Sequence, residues 1–182
     1  MGSENRGGGI YVSNGNAFLS NSTVSDNIIS NTFISNNDNR GGGIYIVNGD
    51  VSLINSAVTG NESFRSSGGG ISSTNGNVSL TNSTISGNSS VNNSGGGISN
   101  NNGDVSLISS TVSGNIGGGI SSSRGNLSLT SSTISGNSSN SISRYGGGIS
   151  SVDSTVQIIN STVTANSAYR EVAEFLLLLI LL

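Results

Sequence analysis

The chain has 182 residues, of which only 8% are charged, and its formal net charge is −3. Lys, His, Cys, Pro and Trp are absent. These features exclude disulfides and thiolate metal sites, and they argue against nucleic acid as a partner, because nucleic acid requires a basic surface. Ser, Asn, Gly and Thr dominate, yet the aliphatic residues recur at regular positions, which is atypical of a disordered chain.

Six copies of one module follow one another along the chain, and each copy contains Gly-Gly-Gly-Ile. We number the copies as coils 1 to 6 and count positions from the Ile. An Asn stands seventeen positions after every Ile, so the module has a constant length. All length variation falls in a spacer between that Asn and the next Gly triplet, and the spacers have 13, 6, 6, 1 and 8 residues. The Ile residues are Ile10, Ile44, Ile71, Ile98, Ile120 and Ile149, and the Asn residues are Asn27, Asn61, Asn88, Asn115, Asn137 and Asn166.

Three short strands are predicted in each module, in the same order. The first begins at the Ile and ends before a turn of the Asn-Gly type. The second carries aliphatic residues at positions seven and nine, and the third carries one at position fourteen. A spacing of two places side chains on the same face of a strand. Position nine is occupied by Leu19, Leu53, Leu80, Leu107, Leu129 and Ile158.

A single module is too small to fold alone. Its aliphatic side chains contribute ~6–12 kcal/mol on burial, whereas ordering its backbone costs ~1–2 kcal/mol per residue. Stacked modules share backbone hydrogen bonds and enclose one core. We therefore predict an all-β fold, a single-stranded parallel β-helix (a solenoid) over residues 1–168. It has three strands per coil and about six coils, or seven if residues 28 to 40 complete an extra turn. In such a stack the Ile, Leu and Asn positions become columns, and each Asn bonds the coils above and below.

The two ends of the sequence depart from the repeat. Residues 169–182 include the apolar run FLLLLILL, far shorter than the ~20 residues that span a bilayer. This tail is interpreted as a cap on the open end of the core or as a truncated segment, and no transmembrane span is expected. The first ten residues, MGSENRGGGI, contain no apolar run, so no signal peptide is expected in this chain.

The paired motifs resemble the polymorphic outer-membrane-protein repeats, which combine a GG[AI] motif with FxxN. Gly42-Gly43-Ile44 matches the first motif, and Phe33-Ile34-Ser35-Asn36 matches the second in full. Elsewhere Val or Ile replaces the Phe, as in Ile85-Ser86-Gly87-Asn88. The resemblance covers roughly residues 7 to 166. It implies a right-handed β-helix with a pectin lyase-like fold, of the kind found in autotransporter passengers and bacterial adhesins. It also implies an extracellular location, at the cell surface or outer membrane.

Two surfaces are candidates for binding. The spacers collect most of the charge, and loops on one edge of a solenoid commonly bind ligands; alternatively, they only supply soluble groups. The candidate residues on this edge are Arg40, Phe64, Arg65, Arg144 and Tyr145.

The second surface is an outward Thr/Ser stripe that resembles the arrays of β-helical ice-binding proteins, although hydroxyl and β-branched residues suit any exposed strand. Its threonines are Thr23, Thr84, Thr111, Thr133 and Thr162, interrupted by Ala57.

The predicted function is structural and non-enzymatic: a segment of a secreted or cell-surface adhesin-like protein that presents variable loops. No cofactor or metal is expected. Candidate partners are glycans or host-cell surface molecules, and end-to-end or edge self-association is a further alternative. Asp50 and Asp104 share a turn position and are interpreted as turn-forming residues. Two alternatives remain open, namely a fragment of a β-helical polysaccharide lyase or hydrolase and an ice- or flat-surface binder.

Overall fold

The computed structural model describes residues 7–30, 41–64, 67–91, 95–139 and 146–168 and the strand Phe175–Leu178. All strand pairs within these ranges are parallel, and each strand pairs with its counterpart in the neighbouring coil. No helix occurs in the described part of the chain. The fold is therefore a parallel β-helix, as the repeat predicts.

Three sheets extend through the stack and correspond to the three predicted strands of each module. The first sheet contains Ile10–Ser13 (β1), Ile44–Val47 (β5), Ile71–Thr74 (β9), Ile98–Asn101 (β13), Ile120–Ser123 (β16), Ile149–Val152 (β20) and Phe175–Leu178 (β24). The second contains Ala17–Ser20 (β2), Val51–Ile54 (β6), Val78–Thr81 (β10), Val105–Ile108 (β14), Leu127–Thr130 (β17) and Val156–Ile159 (β21). The third contains Thr23–Ser25 (β3), Ala57–Thr59 (β7), Thr84–Ser86 (β11), Thr111–Ser113 (β15), Thr133–Ser135 (β18) and Thr162–Thr164 (β22).

A fourth, shorter strand follows the ladder Asn in five coils, and the sequence analysis does not predict it. These strands are Ile28–Ile29 (β4), Glu62–Phe64 (β8), Ser89–Val91 (β12), Ser138–Ser139 (β19) and Ser167–Ala168 (β23). In coil 4 the single spacer residue Ile116 forms isolated bridges to Ser89 and Ser138. The first residues of each spacer therefore belong to the stack.

The register decides the number of coils. Ile10 lies directly opposite Ile44, and Val24 lies opposite Val58. Coils 1 and 2 are thus neighbours, and the alternative of an extra turn formed by residues 28 to 40 is wrong. Beyond coil 6, β24 pairs with β20 and places Phe175 opposite Ile149. Among the described strands, β24 is the one that the tail contributes, and it extends the first sheet.

One continuous apolar core occupies the interior of the stack. Leu53, Leu80 and Leu107 lie opposite one another and are 0% exposed. The Ile column is equally buried from Ile44 to Ile149. In the end coils the same columns are only partly covered, as at Ile10 and Val163. Complete burial of an aliphatic side chain thus depends on having a paired strand on both sides, as Ile149 has in β16 and β24.

Candidate functional surfaces

A ladder of Asn side chains joins the coils. Asn88 is fully buried, and its Oδ1 accepts hydrogen bonds from the backbone N–H and the Nδ2 of Asn61, both at 3.0 Å. Its own Nδ2 donates to Oδ1 of Asn115 at 3.0 Å and to the carbonyl of Val58 at 2.9 Å. The pattern runs from Asn27 to Asn166 in one direction. The predicted Asn ladder therefore saturates its own polar groups within the stack.

Glycine is required beside this ladder. A Cβ added to Gly70, the third Gly of its triplet, would lie 2.6 Å from the carbonyl oxygen of Gly97 and 3.0 Å from Nδ2 of Asn88. Both neighbours are held by the coil-to-coil hydrogen bonds, so neither can move away cheaply. The Gly triplet thus lets the chain pass close to the ladder.

A second ladder consists of Ser residues at position twelve, and the sequence analysis overlooks it. The backbone N–H of Ser56 donates to Oγ of Ser83 at 3.1 Å, and Ser83 repeats this contact with Ser110. Each Oγ also donates to the carbonyl two residues before it, as Ser83 does to Thr81 at 2.8 Å. Position twelve is Ser in all six coils, so the constancy was visible in the sequence. The ladder residues are Ser22, Ser56, Ser83, Ser110, Ser132 and Ser161.

The turn carboxylates also serve the stack. Oδ1 of Asp50 accepts the backbone N–H of Asn77 at 2.8 Å, and Oδ1 of Asp104 accepts that of Asn126 at 2.8 Å. Between them, Oδ1 of Asn77 accepts the N–H of Asp104 at 2.8 Å. The two acids thus belong to one column of turn side chains, as their interpretation as turn-forming residues requires. Across the described ranges, no group of three or more His, Cys, Asp or Glu residues could hold a metal ion.

The third sheet brings the predicted threonines into one column. Thr84 lies opposite Thr111, and Thr133 lies opposite Thr162. Thr23 and Thr162 in the end coils are exposed, whereas the three threonines between them are half-buried. Ala57 occupies the rung between Thr23 and Thr84. A parallel column of hydroxyls at position fifteen consists of Ser25, Thr59, Ser86, Ser113, Ser135 and Thr164.

The face formed by the second and third sheets carries no charge. Positions eight to fifteen contain no Asp, Glu, Lys or Arg in any coil. The outward residues of the second sheet are Ser, Thr, Ile, Phe and Gln, with Phe18 67% exposed and Ile108 46% exposed. Along the chain, each spacer follows the ladder Asn and precedes the Gly triplet of the next coil. Only position sixteen and the ladder Asn lie between the hydroxyl column at position fifteen and the spacer.

The spacer edge is only partly described. Phe64 is half-buried and ends β8, where it lies opposite Val91. It thus belongs to a paired strand rather than to an irregular loop. The other predicted members of this edge, Arg40, Arg65, Arg144 and Tyr145, lie outside the described residues.

The interior contains an unexpected polar column at position two. Val12 and Ile46 occupy this position in coils 1 and 2, but Ser73, Asn100 and Ser122 follow in coils 3 to 5, and Ser151 in coil 6. All four polar residues are buried. Oγ of Ser122 and Ser151 and Oδ1 of Asn100 have no hydrogen-bond partner in the described structure. Oγ of Ser63, Ser139 and Ser150 is likewise buried without a partner there, and all these atoms are a source of instability within the stack.

A scan against models of known protein families, a search of curated proteins and a search of solved structures each return no match for this chain. Among the described residues, no helix has the length and apolar character needed to traverse a membrane.

Proposed function

We propose that the chain is a non-enzymatic structural segment of a secreted or cell-surface adhesin-like protein, and that its rigid β-helix presents variable loops to glycans or cell-surface molecules. The observation that carries this proposal is the position of the length variation. Six modules stack in register, while the spacers between the ladder Asn and the next Gly triplet range from 1 to 13 residues. The length variation therefore falls at one point of an otherwise constant coil.

The scaffold supports this proposal because its polar side chains are used for stacking. The Asn and Ser ladders and the turn column direct their hydrogen bonds to neighbouring coils. A regular stack of this kind tolerates insertions on its surface, because each coil contacts only its neighbours. Binding residues are then free to vary in the spacers without loss of the fold.

The test is to exchange the spacers without disturbing the short strands. Residues 65–67 and 140–145 are replaced by Gly and Ser, while β8 and β19 keep their sequences because they pair with neighbouring coils. Binding is measured on an immobilised glycan panel and on purified extracellular-matrix proteins. We expect the exchange to abolish binding of any glycan or protein that the unaltered chain retains.

The matched control changes the second sheet instead of the spacers. Ser79→Ala and Ser106→Ala alter half-buried outward side chains of that sheet. This variant should keep its binding. Retained binding after the spacer exchange, or an absence of binding by the unaltered chain on both panels, would contradict the proposal. Circular dichroism confirms that each variant remains folded.

A second candidate function, adsorption to ice or another regular flat surface, is favoured by the in-register hydroxyl columns. Neighbouring rungs of a sheet are ~4.8 Å apart, so the Thr and Ser/Thr columns form a regular array over six coils. The test is thermal hysteresis. Thr111→Lys, in the middle of the array, should abolish any hysteresis, whereas Ser106→Lys on the second sheet of the same coil should preserve it. An inactive unaltered chain would eliminate this candidate.

A further inference from the structure

Each end of the stack leaves one side of a coil unpaired. The two unpaired sides are the same two surfaces that meet wherever neighbouring coils stack. Within the described strands, β2 and β3 pair only with coil 2, and β21 and β22 pair only with coil 5. We call the open edge of β2 and β3 the N-terminal face and the open edge of β21 and β22 the C-terminal face. Between them lie five internal contacts in which one face of each kind meets the other.

The hydrogen-bonding groups of the two faces are complementary. In each internal contact, the Asn at position seventeen donates its backbone N–H and its Nδ2 to Oδ1 of the Asn in the following coil, as Asn137 does to Asn166 at 3.0 and 2.9 Å. Among the described residues, no Asn of a preceding coil donates to Oδ1 of Asn27. Likewise, no Asn of a following coil is present there to accept the backbone N–H of Asn166. The C-terminal face therefore offers the backbone N–H of Asn166 to an acceptor such as Oδ1 of Asn27, whereas Nδ2 of Asn166 already donates to the carbonyls of Ile134 and Thr164 at 3.0 Å.

The Ser ladder has the same polarity. The backbone N–H of Ser132 donates to Oγ of Ser161 at 2.9 Å, and the N–H of Thr162 donates back to the carbonyl of Ser132 at 2.9 Å. By this rule, Ser161 would donate to Oγ of a Ser22, and the N–H of a Thr23 would donate to the carbonyl of Ser161. Coil 1 of a second copy supplies both groups in the required order.

The apolar columns are also interrupted at both faces. Leu19 and Val24 retain some exposure in coil 1, whereas their counterparts in coils 2 to 5 are fully buried. At the other end Val156 and Val163 are half-buried and Ile158 is 40% exposed. Contact between the two faces would cover these residues with the same residue types that cover them inside the stack.

The tail strand occupies part of the C-terminal end. Phe175 in β24 lies opposite Ile149, which is the register that the opening Ile of a following coil would take. In an in-phase stack of two copies, β1 of the incoming copy would need this place. β24 therefore imitates the first strand of a following coil and competes with β1 of a second copy for the edge of β20.

We propose that the C-terminal face of one copy binds the N-terminal face of another, head to tail, and that pairing of β24 with β20 opposes this assembly. A head-to-tail contact that repeats along the stack axis does not close into a ring, so the product is an open filament. This inference depends on the fold and is independent of the proposed adhesin-like function.

The first test uses the full chain and weakens only the tail strand. Leu176→Pro with Leu178→Pro removes two backbone donors from β24, and sedimentation velocity is followed as the protein concentration rises. We expect this variant to form larger species than the unaltered chain. If the unaltered chain and the proline variant associate to the same extent, β24 does not oppose assembly. If both proteins remain monomeric at every concentration, the head-to-tail contact is overturned.

Two neighbouring residues provide the matched pair. Ile158 and Ile159 are 40% and 42% exposed, but Ile158 belongs to the core column of the C-terminal face and Ile159 to the outward face of β21. Added to the double proline variant, Ile158→Lys should abolish association and Ile159→Lys should not. The same effect from both lysines would show that association is not end to end.

A cross-linking measurement remains informative if the proline variant fails to fold. The chain has no Cys, and stacked coils lie ~4.8 Å apart, within the Cα separation that a disulfide bridges. Single variants Ser22→Cys and Ser161→Cys are mixed and oxidised at high concentration. In an equimolar mixture, random pairing makes the mixed disulfide about twice as abundant as each homodimer, and we expect the mixed disulfide to exceed that ratio severalfold. A mixed disulfide at or below the random ratio would overturn the proposal.

Discussion

Replacement of one buried ladder Asn should destabilise the protein far more than replacement of its counterpart at the end of the ladder. Asn88→Ala removes four side-chain hydrogen bonds, two accepted from Asn61 and one donated to each of Val58 and Asn115. Asn27→Ala removes two, donated to Asn61 and to the carbonyl of Ser25. The same chemical change is thus made once inside the stack and once at its end.

The expected free-energy changes follow from the bond counts. Each hydrogen bond contributes ~0.5–1.5 kcal/mol net, so four bonds amount to ~2–6 kcal/mol. Asn88→Ala also leaves the backbone N–H of Asn61 buried without a partner, which places the expected loss near ~4 kcal/mol. Asn27 is half-buried, and water can solvate the groups that its removal exposes. We expect Asn27→Ala to cost ~1 kcal/mol.

Equilibrium unfolding in urea, followed by circular dichroism, measures both changes through the shift in the transition midpoint. The unaltered chain and both variants should give the same slope, so that the comparison concerns stability alone. Losses that agree within ~0.5 kcal/mol would refute the reasoning, because additivity of independent sites holds to about that margin. Such a result would mean that the ladder bonds are replaced by bonds to water.

Four further substitutions test three separate features by the same unfolding measurement. Ala165 adopts a φ of 54°, where four other coils have Gly, and Ala165→Gly should add ~1 kcal/mol of stability; an unchanged midpoint would contradict this. Gly70→Ala should cost ~1–3 kcal/mol through overpacking against Gly97, whereas Gly15→Ala, whose Cβ would lie 3.6 Å from Val12, should be nearly neutral. Ser122→Val, which replaces an unpaired buried hydroxyl, should stabilise by ~1 kcal/mol; destabilisation would indicate a partner such as ordered water.

The stacking columns could be predicted from the sequence because their spacing is constant. Leu53, Leu80 and Leu107 stand at the same distance from their Gly triplets, and only a stack places all of them in one core. The Asn ladder was predictable for the same reason. The length variation of the spacers did not obscure either pattern, since it falls outside the constant module.

Other features carry too weak a signal in the sequence. The short strands β4, β8 and β19 share no apolar pattern, because the buried residue of each strand is Ile29, Ser63 and Ser139, respectively. The Ser at position twelve is constant, but Ser is so frequent here that its constancy does not stand out. The buried Ser122 contradicts the usual preference of Ser for the surface, and only the register of the first sheet reveals that it points into the core. The variable spacers, where binding is proposed, follow no repeat at all.

The most direct test of the account is the contact between leucine side chains of successive coils. In a protein with labelled leucine methyl groups, nuclear Overhauser effects should connect Leu53 with Leu80, Leu80 with Leu107 and Leu107 with Leu129, because these pairs lie opposite one another in register. Leu53 and Leu107, two coils apart, should show none. Absent contacts between neighbouring coils, or contacts between leucines of non-adjacent coils, would contradict the stacked β-helix.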